Sequence, residues 1–272
     1  MATFALHLRS EILEQNTVVH VILPDYASSD RPMKPKDYYD QRKKFKVLWL
    51  LHGRGGDSSD WMRKTSIERY ALERKLAVIM PDARNSWYAD IPGYKLWTFL
   101  EEELMPMTYA FFPLSEKTQD NYIAGLSMGG LGAAKWAINS PHRFRSAAVF
   151  SGALFDIRKR FESEEYAEVF KTLFPGGLES VLGTSDDLYE KTRRFVERKN
   201  AGEHVPNFYI SCGTEDELVV DANYAYKAFC DEIGFEATWV FEPGAHTWDF
   251  WDRHIQRALD FFDIKAGDQT GD

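Results

Sequence analysis

Cysteine is nearly absent: Cys212 and Cys230 are the two in 272 residues. They cannot build a disulfide framework, so they read as small buried hydrophobes and a reducing cytoplasm is the expected compartment. No apolar run approaches the ~18 residues of a membrane helix, and a soluble protein is expected. The opening MATFALHLRSEILEQN gains charge within a few residues and has neither a long apolar stretch nor a small-residue cleavage site, which argues against a secretory leader. Basic charge is scarce too: 33 lysines and arginines against 42 acidic residues leave a formal charge of −9. That balance excludes a phosphate backbone as the partner. The short basic stretch from Gln41 to Lys46 reads as a solvated lead-in to a strand. There is no His-Glu-x-x-His, paired Cys-x-x-Cys, Walker or dinucleotide fingerprint, so neither a metal nor a cofactor is expected. Internal repeats, low-complexity segments and a clear linker are also missing.

What is present is an alternation of short and long segments. Apolar, β-branched runs at Thr17 to Leu23, Lys46 to Leu51, Ala77 to Pro81, Asn121 to Gly125, Ala147 to Ser151, Asn207 to Cys212 and Ala237 to Phe241 read as strands. Several are continuously apolar, as expected where helices cover both faces of a sheet. Helices are expected over Asp60 to Lys75, Met128 to Asn139, Glu217 to Ile233 and Trp248 to Ile264. The pattern gives an α/β fold, a doubly wound, mostly parallel sheet with an antiparallel N-terminal edge, in one domain spanning 1–272. Two cap-like insertions interrupt it, at about 84–113 and 154–200. They are expected to wall a ligand site beyond the carboxyl ends of the strands.

Gly125-Leu126-Ser127-Met128-Gly129 matches G-x-S-x-G between a strand and an alanine-rich helix. In that context the serine is lifted out of a sharp turn, with glycines allowing the flanking backbones to close up. A serine hydroxyl needs a base, and His246, in the loop between the last strand and the last helix, is preferred over His52, His20 and the four polar or helical histidines His7, His142, His204 and His254. The acid that orients it is read as Asp216, after the strand ending at Cys212, with Glu215, Glu217 and Asp221 as rivals by type. Oxyanion donors are expected from the backbone N–H groups of Met128 and of Arg54, within His52-Gly53-Arg54-Gly55-Gly56. Trp87, Tyr88, Trp97 and Trp248 are the candidate substrate-pocket residues.

Leu-His-Gly before a glycine-rich turn, Gly-Leu-Ser-Met-Gly-Gly, Gly-Thr-Glu-Asp, and Gly244, His246, Trp248, Phe250 and Trp251 together resemble the esterase D-type family of α/β-hydrolases over roughly Lys46 to Asp263. That family includes tributyrin esterases, S-formylglutathione hydrolases and feruloyl or acetylxylan esterases. The resemblance implies Ser127, Asp216 and His246 as a triad, with Arg54 and Met128 amides at the oxyanion. It implies a serine carboxylesterase that hydrolyses short-chain acyl esters through an acyl-serine intermediate. Arg84-Asn85-Ser86-Trp87-Tyr88 and Glu102 to Pro106 look most like the tributyrin-type members. S-formylglutathione hydrolases carry a cysteine where this chain reads Arg54-Gly55-Gly56-Asp57, which lowers that alternative and leaves it open beside a feruloyl or acetylxylan esterase. Acyl transfer to an alcohol uses the same residues, and a non-catalytic binding protein on the same fold is the alternative from another class. The expected partner is a small-molecule ester, with no nucleic acid and no membrane; an exposed aromatic insertion would suit a homo-oligomer.

Overall fold

The computed structural model describes residues 1–26, 30–39 and 44–264. Gln41 to Lys43 of the basic stretch therefore lie outside the described residues. An eight-stranded sheet runs in the order β1-β2-β4-β3-β7-β8-β9-β10. Its strands are β1 (Ala2–Ser10), β2 (Gln15–Leu23), β3 (Lys46–Leu51), β4 (Leu76–Pro81), β7 (Asn121–Leu126), β8 (Ser146–Phe150), β9 (Asn207–Gly213) and β10 (Thr238–Glu242). The remaining pair, β5 (Asp90–Ile91) and β6 (Tyr94–Lys95), forms a small antiparallel ribbon inside the first insertion. β1, β2 and β4 pair antiparallel, and every junction from β4 to β10 is parallel. The antiparallel N-terminal edge is thus present, with β1 as its outermost strand.

The side-chain alternation of a strand explains why continuous apolar runs are needed here. In β3 all six residues are buried; Val47, Trp49 and Leu51 join the apolar layer on one face, and Leu48 and Leu50 the layer on the other. Each such side chain contributes about 1.5–3 kcal/mol by leaving water.

The long helix expected over Asp60 to Lys75 is broken into Asp60–Lys64 and Ile67–Glu73. Thr65 turns extended, accepts from the Ile67 N–H and donates to the Trp61 carbonyl at 2.6 Å, so its hydroxyl competes with the helical ladder. The helix expected from Glu217 starts at Val220 because the intervening residues form the turn around Asp216. It stops at Gly234, which takes the left-handed conformation. The last helix spans Trp248–Phe261.

The insertions are helical. The first continues from β6 through Leu96–Thr98, a π-helical stretch at Phe99–Leu104, and Met105–Phe111. The second carries Ile157–Glu162, Ala167–Leu173 and Leu188–Asn200. Both are tied to the helix Met128–Asn139 by the buried Lys135, whose ammonium donates to the Tyr88 carbonyl and to Asp186 and lies over the Trp97 ring.

Candidate active site

Ser127 sits between the last residue of β7 and the first of the helix Met128–Asn139 with φ 54° and ψ −120°. A non-glycine residue there costs on the order of 1–3 kcal/mol and stays only if its surroundings hold it. They do: Ser127 N–H donates to the Phe150 carbonyl at 2.9 Å, and the Ser127 carbonyl accepts from Leu131 and Ala153, each at 3.1 Å. Gly129 is required by packing, since a methyl on it would lie 2.5 Å from the carbonyl oxygens of Leu51 and His52.

The loops beyond β9 and β10 bring Asp216 and His246 to this turn. His246 Nε2 lies 3.0 Å from Ser127 Oγ, and His246 Nδ1 lies 2.8 Å from Asp216 Oδ2. A carboxylate only accepts, so Nδ1 carries the proton and Nε2 is free to accept from the serine hydroxyl. Asp216 is wholly buried, whereas its rivals Glu215, Glu217 and Asp221 are exposed. The parallel ladder runs on past the strand ends, with Thr214 N–H donating to the Glu242 carbonyl and Glu215 N–H to the Gly244 carbonyl, both at 2.9 Å. Gly213 is a second steric requirement, because a methyl there would sit 2.0 Å from the Gly244 oxygen.

Two rival histidines, His52 and His254, are engaged elsewhere. His52 is buried with Nδ1–H donating to the Gly53 carbonyl at 2.8 Å and Nε2 accepting from the Ala83 N–H at 2.9 Å. It fixes the loop after β3, assisted by Tyr88 Oη on the His52 carbonyl at 3.0 Å and by Asn85 Oδ1, which accepts from the Gly55 N–H at 2.7 Å. The backbone N–H groups of Arg54 and Met128 have no protein acceptor among the described residues. His254 is fully buried between Tyr209 Oη and Glu242, and burial lowers its pKa to about 4. Burial, reinforced by the nearby Asp216 charge, pushes the Cys212 thiol up to about 12, so it stays protonated.

A cavity of about 150 Å³ opens at Ser127 and His246. Its walls are Gly53 to Gly56, Asp60, Lys64, Leu126, Trp248 and Trp251. Of the expected pocket residues Trp248 lines this cavity, and Trp251 lines it too, its ring edge-on to His246 at 4.9 Å. Trp248 and Trp251 are three apart on one helix, so they share a face, a signal legible in the sequence. Lys64 and Asp60 form an ion pair at 3.0 Å, with Lys64 over the Trp248 ring.

The other three pocket candidates are corrected. Tyr88 is completely buried and braces the His52 carbonyl. Trp97 is packed under the Lys135 ammonium, and Trp87 packs against Phe155 and Phe170. Neither borders the Ser127 cavity, and no residue of the insertions lines it. A larger cleft of about 650 Å³, with Glu101, Tyr109, His142 and Arg143 in its walls, lies by the segments that lead into β7 and β8, at the opposite end of the strands. Among the described residues no group of three or more His, Cys, Asp or Glu side chains is placed to hold a metal ion.

Strand order, elbow and loop placement define an α/β-hydrolase. A family model described as "Putative esterase" matches residues 10–262, and the chain belongs to that family of carboxylic ester hydrolases. An acetyl esterase of Caldicellulosiruptor saccharolyticus is 28% identical over 272 residues, covering 96% of this chain and 98% of the relative. Two solved Staphylococcus aureus structures are similar over 96% of this chain and 98% of theirs: the fluorophosphonate-binding serine hydrolase F, substrate bound (31% identity, TM-score 0.79), and the S-formylglutathione hydrolase FrmB (33%, TM-score 0.78). No described helix is long and apolar enough to cross a membrane.

Proposed function

We propose that the chain is a serine carboxylesterase acting on short-chain acyl esters, acetyl esters first, through an acyl-Ser127 intermediate. The observation that carries this reading is the relay from Ser127 Oγ through His246 to Asp216, at 3.0 and 2.8 Å, on the wall of a cavity of about 150 Å³. A small pocket of this kind, open to solvent on one side, suits an acetyl-to-butyryl group.

His246 Nε2 takes the Ser127 proton as Oγ attacks the carbonyl carbon. The oxyanion is held by the Arg54 and Met128 N–H groups, which have no competing protein acceptor among the described residues. His246 then gives its proton to the departing alcohol, and in the second half activates water to release the acid and restore Ser127. Asp216 orients the ring and stabilises its cation. The 28% identical relative named acetyl esterase supports the acyl choice. A second reading, thioester hydrolysis of S-formylglutathione, is favoured by the 33% identity to FrmB and opposed by Arg54 to Asp57 in place of a cysteine-bearing loop.

The test is a p-nitrophenyl ester series from acetyl to octanoyl, with a feruloyl ester and S-formylglutathione, on wild type and Ser127→Ala. The expected outcome is turnover highest on acetyl to butyryl and a loss of at least ~10³-fold in the variant. Equal activity in Ser127→Ala, or no turnover of any ester by wild type, overturns the reading. A preference for the thioester installs the second one.

A further inference from the structure

Asp216 is aimed by its backbone more than by its carboxylate. Oδ2 accepts from His246, but Oδ1 is buried with no hydrogen-bond partner among the described residues. The direction of the group therefore depends on the turn that carries it. That turn is closed by Val219 and Val220, whose N–H groups donate to the Asp216 carbonyl at 3.2 and 2.9 Å.

Asn223 grips this turn from the helix that follows. It is wholly buried, and its Nδ2 donates to the Val219 carbonyl and to the Gly152 carbonyl, each at 2.8 Å. Both partners only accept, so the nitrogen must face them. Gly152 belongs to the other half of the site. Its neighbour Ser151, with φ 45°, donates from its N–H to the Ser211 carbonyl at 2.7 Å, and its other neighbour Ala153 donates to the carbonyl of Ser127 at 3.1 Å. The segment 151–153 is the shelf on which the strained serine rests.

We infer that Asn223 is a positioning residue for the reaction: its amide fixes the shelf behind Ser127 to the turn behind Asp216, and so sets the aim of the acid at His246. It touches neither substrate nor the reacting atoms, and its role rests on the triad proposed above. The donors are what matter. Aspartate fills the same space yet offers acceptors to two carbonyls, leucine offers neither donor nor acceptor, and serine keeps one donor.

The experiment uses the whole enzyme with Asn223→Asp, Asn223→Leu and Asn223→Ser on p-nitrophenyl acetate, with active sites counted by fluorophosphonate titration run to completion. The expected result is kcat per titrated site at least ~30-fold lower for Asp and Leu, KM within about threefold of wild type, and Ser in between, as small misalignments of a catalytic group cost rate more than binding. A residue that served packing alone would reduce the number of titratable sites and leave kcat per site unchanged; that result overturns the inference. So does failure of all three variants to yield folded protein, which would make Asn223 a folding element. If wild type is neither titrated nor active on esters, the triad itself has failed and the inference falls with it.

Discussion

At the scale of single residues, proton placement on one imidazole governs the site. Asp216 Oδ2 accepts from His246 Nδ1, which keeps Nε2 unprotonated and facing Ser127. Asp216→Asn would present an amide that donates to Nδ1, move the ring proton to Nε2 and leave Ser127 without a base. The expected loss in kcat on p-nitrophenyl acetate is on the order of 10⁴-fold with little change in KM, read by steady-state kinetics beside a circular dichroism control. A loss below tenfold would show that the carboxylate does not set the tautomer. These three residues were legible because each occupies a loop whose place follows from strand order, and because the serine stands in a patterned turn. Tyr88 and Trp97 misled because an aromatic in an insertion gives no sign of where its ring points. One ring is spent on the His52 carbonyl and the other on the Lys135 ammonium.

At the scale of elements, the sheet ends do the placing. Seven strands of the large sheet, β2 to β4 and β7 to β10, were readable from their apolar runs, the interior ones because burial on both faces leaves no room for polar alternation, whereas the two-residue β5 and β6 were not. β1 was not delimited although Phe4, Leu6 and Leu8 alternate with Ala5, His7 and Arg9 as in a half-exposed edge strand, and the break at Thr65 depends on a hydroxyl that composition does not reveal. The ladder joining the ends of β9 and β10 leads to a prediction of its own. Gly213→Ala puts a methyl 2.0 Å from the Gly244 oxygen and must part the two loops. Because a ~1 Å displacement of catalytic groups costs about 10²-fold, kcat should fall by at least that factor, and the crystal structure of the variant should show a lengthened Asp216–His246 contact. Unchanged kcat would mean that the loops reach their register by other means.

At the scale of the whole molecule, His254 contributes to the acid limit of stability, in the same direction as His20 and His142, whose pKa values burial also lowers. The folded pKa of His254 is about 4 against 6.5 for the free side chain, lowered chiefly by burial. Between those values the unfolded chain binds the extra proton and the folded chain does not, so stability is full above pH 6.5 and declines as pH falls toward 4. The decline from this residue is about 3 kcal/mol at its limit. Wild-type Tm measured from pH 7 to 4.5 should fall, and His254→Gln should flatten that part of the curve; equal slopes would remove His254 as the cause. The sheet's outer border carries a different consequence. β10 has five residues, pairs among the described residues with β9 alone, is half-buried to exposed along its length, and leads directly into the loop that bears His246. Fraying of that border requires little free energy compared with global melting. Under gradual heating or urea, catalytic competence should therefore disappear ahead of the circular dichroism signal, as an inactivation that reverses on cooling or dilution, while Ser127, held at the end of an interior strand, keeps its place.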